Sequence, residues 1–371
     1  SEVTVMRYPD YENGIVNLSN SILRGFGAPT KHKTLPELDA ILDKGFHNVV
    51  LMLFDGMGMD ALEHHLPEDS FLRCHLFKTI SSVFPPTTTA ATTSILSGLT
   101  PYEHGWLGWS LYFKEIDKIV DLYPNTVKDS NGVQAADYHV AGKYIPFQTI
   151  GSAIDRAGHG RMVTIAPFDG HRITKHDELF STVRLICGEP GNKFVYAYWN
   201  QPDDIMHKTG CHGELAKEMM GRINRSVEAL CGTLHDTLLL VIADHGHIDT
   251  RYKFICDYPQ IVSTLERPFA IESRSAAFYV KSDCRGRFEA EFTKAFGDAF
   301  LLLTRDEVLE KGLFGSGAQH PRFLESIGDY LAIATGDVAL AFSREARQFV
   351  SNHAGLTEQE MDVPLIVIEN R

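Results

Sequence analysis

The 371-residue sequence is short of several things that would have pointed elsewhere. It has no long basic run, and its formal charge is −13, from 35 basic against 48 acidic residues. Duplex nucleic acid and anionic membranes are bound by clustered Lys and Arg, so neither is an expected partner. A small anionic substrate stays open, because a bound metal can dominate the local charge. No stretch approaches the roughly eighteen uninterrupted apolar residues of a membrane-spanning helix. The N-terminal segment SEVTVMRYPDYENG lacks a basic-then-apolar leader, so a cytoplasmic location is the expectation. Six cysteines are scattered at 74, 187, 211, 231, 256 and 284 without a C-x-x-C pair. That excludes a zinc ribbon or a disulfide framework and suits reduced thiols in an intracellular protein. Internal repeats and low-complexity runs are also missing. With 44% hydrophobic and 22% charged residues, what remains is a globular chain, long enough for one enlarged domain or a domain carrying an insertion.

Buried-strand patterns recur along it. The run His47–Phe54 is continuously apolar and ends in Asp55-Gly56, with a helix expected over Met59–His65. Arg161–Ala166 and Lys193–Trp199 read as strands, Gly213–Leu230 as a long amphipathic helix, and Thr237–Ala243 as a strand ending in Asp244-His245-Gly246. This alternation predicts a mostly parallel sheet with helices on both faces, and ligands at the strands' carboxyl ends. Residues 1–34 read as irregular apart from a short amphipathic turn at Val16–Leu23. Residues 109–148 read as a polar loop over the site, and 251–323 as an inserted α+β cap subdomain. The core is then 1–250 and 324–371, its sheet resuming at Tyr330–Ala334.

The stretch Val83–Trp106 is the centre of the functional reading. Pro85 and Pro86 are poor helix, so a helix is expected to start directly after them, with Thr87, Thr88 and Thr89 at its N-terminus. Unpaired N–H groups and the positive dipole end there favour anions, and a threonine hydroxyl held there can attack phosphorus. Taken alone, such a threonine is an N-cap. Four other clusters change the balance: Asp55; Asp203 and His207, four apart and so on one helix face; Asp244-His245; and His353. Each has an ordinary explanation singly, as turn, surface pair or structural histidine. Together they form an oxygen and nitrogen donor set suited to zinc without cysteine.

In motif order the sequence resembles the alkaline phosphatase superfamily, and within it the type I phosphodiesterase/nucleotide pyrophosphatase branch. The motifs are D-G-x-x at Asp55, F-P-x-x-T at Phe84–Thr88, S-G-L-x-P-x-x-H-G from Ser97, P-D-x-x-x-H from Pro202, D-H-G from Asp244, and H-x-G from His353 ahead of V-P-L. The resemblance implies an alkaline-phosphatase-like three-layer α/β sandwich and two divalent metal ions, with zinc preferred. One would be held by Asp203, His207 and His353, the other by Asp55, Asp244, His245 and Thr88. Thr88 is the implied nucleophile, with Thr87 and Thr89 as fallbacks, passing through a phospho- or nucleotidyl-threonine intermediate. The implied substrate is a small phosphate ester, with phosphodiester or nucleotide pyrophosphate hydrolysis leading. A phosphomonoesterase or a phosphonate hydrolase is the alternative, and a phosphomutase or a non-catalytic metal-binding module ranks lower. One departure bears on this choice: Trp109 stands where diesterases of this branch carry an Asn that helps to bind a phosphoryl oxygen. Trp106, Trp109 and Tyr112 are candidates to stack on an aromatic leaving group or, equally, to pack under the loop. His104 is expected to orient the loop, and His247 and His320 to lie at the surface or behind the ligands.

Overall fold

In a computed structural model, which describes residues 4–371, two seven-stranded sheets organise the chain. The first runs in the order Leu76–Ser81, Asp362–Asn370, Thr237–Ile242, Asn48–Phe54, Lys193–Trp199, Arg161–Ala166, His171–Arg172. Only Asp362–Asn370 runs against the others. Its three middle strands are buried at every residue, which is why they read as unbroken apolar runs. Helices lie on both faces. Ile15–Gly25 packs with Pro36–Leu42, Thr88–Ser97 and Ile150–Ala157, while Glu214–Cys231 packs with Met59–His65, His176–Cys187 and Asp203–Thr209.

Register places the site. Asn48–Phe54 pairs in parallel with Lys193–Trp199, Phe54 opposite Trp199, and with Thr237–Ile242, Leu53 opposite Ile242. Three neighbouring strands therefore end level, and the next residues of each chain meet. The Asp55 N–H bonds the Trp199 carbonyl (2.9 Å), and the Asp203 N–H bonds the Asp55 carbonyl (2.9 Å).

The expected helix Met59–His65 and strand Arg161–Ala166 have the bounds read from the sequence. Elsewhere the structure corrects that reading. Residues 109–148 are not a plain loop: they supply the strands Ser110–Phe113, Lys118–Asp121 and Thr126–Val127 to the second, antiparallel sheet. Tyr330–Ala334 joins that same sheet, between Phe300–Thr304 and Ser275–Phe278, and does not resume the first one. The second sheet is itself covered on both faces. Ala277, Leu331 and Ile333 face one apolar cluster, while Ala276, Phe278, Tyr330 and Ala332 face another with Phe288, Phe292 and Phe296. Double burial removes the alternation that would have distinguished it from the parallel sheet. The N-terminal turn is a full helix, Ile15–Gly25. Only a short amphipathic turn of it was legible because Asn17, Ser19, Asn20 and Ser21 are buried and hydrogen-bonded: Asn20 Nδ2 donates to the Gly98 carbonyl (3.0 Å) and Ser19 Oγ to that of Ile95 (2.5 Å). All six cysteines are free thiols, and no described helix is long and apolar enough to cross a membrane.

Candidate active site

The helix after the two prolines begins at Thr88, with Thr87 at its N-cap. Thr87 does not cap the helix with its side chain; its hydroxyl donates to Glu272 Oε1 (2.5 Å), which also accepts the Trp109 N–H (2.9 Å). Thr89 is fully buried, its hydroxyl facing the protein interior without a partner. Thr88 alone of the three points at Asp55 and His245. Its Oγ1 lies 3.0 Å from His245 Nε2 and 3.3 Å from both oxygens of Asp55.

Four imidazoles converge on three carboxylates here, and each has its Nδ1 committed elsewhere. His245 Nδ1 donates to the Gly246 carbonyl (2.8 Å), His207 Nδ1 to that of Ser351 (2.8 Å), His353 Nδ1 to that of Pro86 (3.1 Å), and His247 Nδ1 to Ser351 Oγ (2.9 Å). Carbonyls accept only, so Nε2 is the nitrogen turned to the carboxylates, carrying either a proton or a metal. His245 Nε2 lies 3.2 Å from Asp55 Oδ1 and 3.5 Å from Asp244 Oδ2. His207, His247 and His353 stand 3.3, 2.5 and 3.7 Å from Asp203 Oδ1. The donor atoms of Asp55, Asp244 and His245 lie within 4.8 Å of one another, as do those of Asp203, His245, His247 and His353.

Glycines let these groups approach. Gly56 takes a positive φ of 77°, and a Cβ there would sit 3.0 Å from Asp203 and from His247. A Cβ on Gly246 would lie 1.9 Å from the Gln359 carbonyl, so the residue after Asp244-His245 has to be glycine.

The electrostatics follow from burial. Burial, followed by the nearby Asp55 charge, pushes Asp244 well above the carboxylate range. Burial opposes charge on His245, but Asp244, Asp55 and Asp203 outweigh it and hold the imidazole up at about 10. Asp203 is driven well below its usual value, its burial overcome by His207 and His247. Burial, with His245 adding to it, keeps His353 neutral. Asp244 Oδ2 is buried and has no hydrogen-bond partner, an orphaned acceptor aimed at the cluster. Carboxylate and imidazole donors of this kind fit divalent metal ions.

The seven residues singled out in the sequence, Asp55, Thr88, Asp203, His207, Asp244, His245 and His353, thus come together. Thr88, Asp203, His207 and His353 open into a cavity of about 460 Å³ that Trp109 and Glu272 also line. The aromatic candidates divide. Trp109 is 40% exposed at the cavity wall, its ring edge-on to Tyr123. Trp106 is buried in the second core with its Nε1–H on the Ile145 carbonyl (2.7 Å). Tyr112 packs under the Arg267 guanidinium and against Tyr279, with its hydroxyl on Asp117. Neither lines the cavity: Trp106 packs in the second core ahead of the strand Ser110–Phe113, and Tyr112, on that strand, packs against the same cluster.

Of the two places expected for His247, at the surface or behind the ligands, the structure has the second: it is buried and meets Asp203. The two rings lie close, His245 and His247 having centroids 5.5 Å apart. Tyr198, whose hydroxyl donates to Asp55 Oδ2, and Glu272 were not legible. Glu272 follows Ile271, a β-branched residue at φ 75°, a strained conformation beside the cavity. His320 is half-buried against Gly105, away from the cluster.

The family model for type I phosphodiesterases/nucleotide pyrophosphatases matches residues 49–288. No curated protein matches the sequence. Among solved structures, human ectonucleotide pyrophosphatase/phosphodiesterase 5 is 18% identical, over 86% of this chain and 87% of that one, with a TM-score of 0.66. The murine protein, solved as an inactive threonine-to-alanine variant in complex with AMP, gives 16%, 85%, 87% and 0.65. Phosphonoacetate hydrolase from Sinorhizobium meliloti 1021, in complex with phosphonoformate, gives 16%, 86%, 89% and 0.63. At such identities these likenesses speak for the fold, which is the alkaline-phosphatase-like α/β arrangement expected from the motifs.

Proposed function

The chain belongs to the type I phosphodiesterase/nucleotide pyrophosphatase family, and we propose that it hydrolyses small phosphoric esters by attack of Thr88 on phosphorus. The observation that carries this reading is the position of Thr88 Oγ1, at the first turn of a ten-residue helix, 3.0 Å from His245 and 3.3 Å from Asp55, at the cavity. One divalent ion would be held by Asp55, Asp244, His245 and Thr88, the other by Asp203, His207 and His353. Bound there, such ions supply positive charge that favours the threonine alkoxide and neutralises phosphoryl oxygens.

The chain's own groups do the rest. The helix N-terminus aims backbone N–H groups at an anion held before Thr88. Tyr198 orients Asp55, and Glu272 fixes Thr87 and with it the start of the helix. The Thr88 hydroxyl gives up its proton to solvent, the Oγ–P bond forms as the bond from phosphorus to the leaving oxygen breaks, and that oxygen takes a proton from solvent. Water then cleaves the phospho- or nucleotidyl-threonine and restores the hydroxyl. The murine relative, inactive with one threonine replaced by alanine and holding AMP, supports a threonine in this role and a nucleotide-sized substrate.

A phosphonate or phosphomonoester substrate at the same site is the second reading. Trp109 offers no side-chain amide, and its backbone N–H is already spent on Glu272. The ratio of kcat/KM for a p-nitrophenyl phosphodiester to that for the monoester, on zinc-loaded enzyme, decides between them. A ratio well above one supports the diesterase; a ratio well below one moves the assignment to dianionic substrates. Thr88→Ala is expected to lower kcat by at least about 1,000-fold on either substrate. Unchanged turnover in that variant overturns the mechanism.

A further inference from the structure

Resting on the two-metal reading above, we propose that His247 is a direct protein ligand of the same ion as Asp203, His207 and His353. That ion would then have four protein donors, one more than the family resemblance implies.

His247 is 3% exposed, and its surroundings fix its orientation. Ser351 Oγ donates its own proton to the Met206 carbonyl (2.6 Å), so toward His247 it can only accept. His247 Nδ1 is therefore the donor at 2.9 Å, and Nε2 is left facing Asp203 Oδ1 at 2.5 Å. With Nδ1 donating, Nε2 meets the carboxylate through a positive centre, a proton in the metal-free site or a metal ion when one is bound. The backbone carbonyl of the same Ser351 accepts from His207 Nδ1 (2.8 Å). One residue thus aims two imidazoles at one carboxylate.

The rings stand as ligands do, and not as a packed stack. His207 and His247 meet at 72° with centroids 4.6 Å apart, and His247 and His353 at 66° and 5.1 Å. The parallel pair in the cluster is instead His245 and His353, 3.6 Å apart at 19°. Gly56 leaves the room that His247 fills against Asp203.

Four protein donors make a closed site, and three leave a position for water or substrate. Beside Thr88 only three of the four donors are side chains other than the nucleophile, so the ion at Asp203, with four such donors, would be the more tightly held of the two. The substrate-facing role would fall mainly to the ion beside Thr88.

The test is cobalt(II) binding to the whole protein freed of metal. Stoichiometry, visible absorption and competition with a chelator are compared among wild type, His247→Ala and His247→Gln, with circular dichroism to verify folding. Gln keeps a hydrogen bond to Asp203 but is a poor ligand, so it separates the two roles. Two equivalents are expected in the wild type, one markedly tighter. Both variants are expected to lose the tighter class by at least about 100-fold in affinity and to change the cobalt spectrum. If His247→Gln keeps the wild-type affinities and spectrum, His247 only hydrogen-bonds Asp203 and the proposal is wrong. If the wild type binds no cobalt, the two-metal reading itself fails, and the proposal with it.

Discussion

At the scale of single residues, burial makes histidine an instrument of position. His104 has both nitrogens engaged inside the core: Nδ1 accepts the Trp106 N–H (3.0 Å) and Nε2 meets Ser94 Oγ (3.0 Å), tying the Gly105 turn to the Thr88 helix. Burial presses its imidazole down to about 3. The sign follows directly. Below the unfolded value of about 6.5, the unfolded chain takes up a proton that the folded chain refuses. Stability present at neutral pH is therefore lost as pH falls from about 6.5 toward 3, at up to about 1.4 kcal/mol per pH unit from this group. His104→Gln should flatten that part of the profile in urea unfolding followed between pH 7 and 4. An unchanged slope would show that other groups carry the dependence. The places of His104 and Asp55 were readable from their motifs. That of Glu272 was not, because its role depends on Thr87 and Trp109, which lie 185 and 163 positions away in sequence.

Among elements, the Thr88–Ser97 helix is decisive, and it is short and weakly amphipathic. Its place comes from what closes and flanks it. Gly98 ends it in the left-handed conformation, φ 72°, where a Cβ would meet Leu23 Cδ1 at 3.2 Å. Ile15–Gly25 holds the same end through Ser19 and Asn20. Gly98→Ala should cost about 1–2 kcal/mol in denaturant unfolding, by backbone strain and contact with Leu23. Stability equal to wild type would mean that the turn is free to rearrange. The helix start was legible from two prolines and the stop from a glycine. The partner helix was not, since buried, hydrogen-bonded Asn and Ser residues look in sequence like solvated ones.

For the whole molecule, the two sheets have to hold the site between them. His353 arrives on a strand, Ser351–Asn352, paired with Ile248–Asp249, and the loop after it is fixed by Glu360. Glu360 accepts the N–H groups of Gly355 (2.9 Å) and Thr357 (3.1 Å) and pairs with Arg274, both side chains fully buried. Arg274 comes from the second sheet's side and also donates to the carbonyls of Val338 (2.8 Å) and Gly336 (2.6 Å). Arg274→Met would leave Glu360 charged, buried and unpaired, at a cost of about 3–5 kcal/mol. Adding Glu360→Gln should recover part of that loss. A single variant with wild-type thermal stability would remove this ion pair from the account of how the sheets are joined.

The sequence by itself determined the parallel sheet and the seven convergent residues. Fully buried strands need unbroken apolar runs, and strand ends that hold ligands need Asp, His and Gly directly after them, so both signals are local. Only the tertiary structure decided that 109–148 and 330–334 share one sheet, that Trp106 and Tyr112 belong to packing, and that His247 faces Asp203. Those facts depend on pairing and burial between segments far apart in the chain. A residue's neighbours in space, which fix whether it is ligand, wall or filler, are not written in its neighbours in sequence.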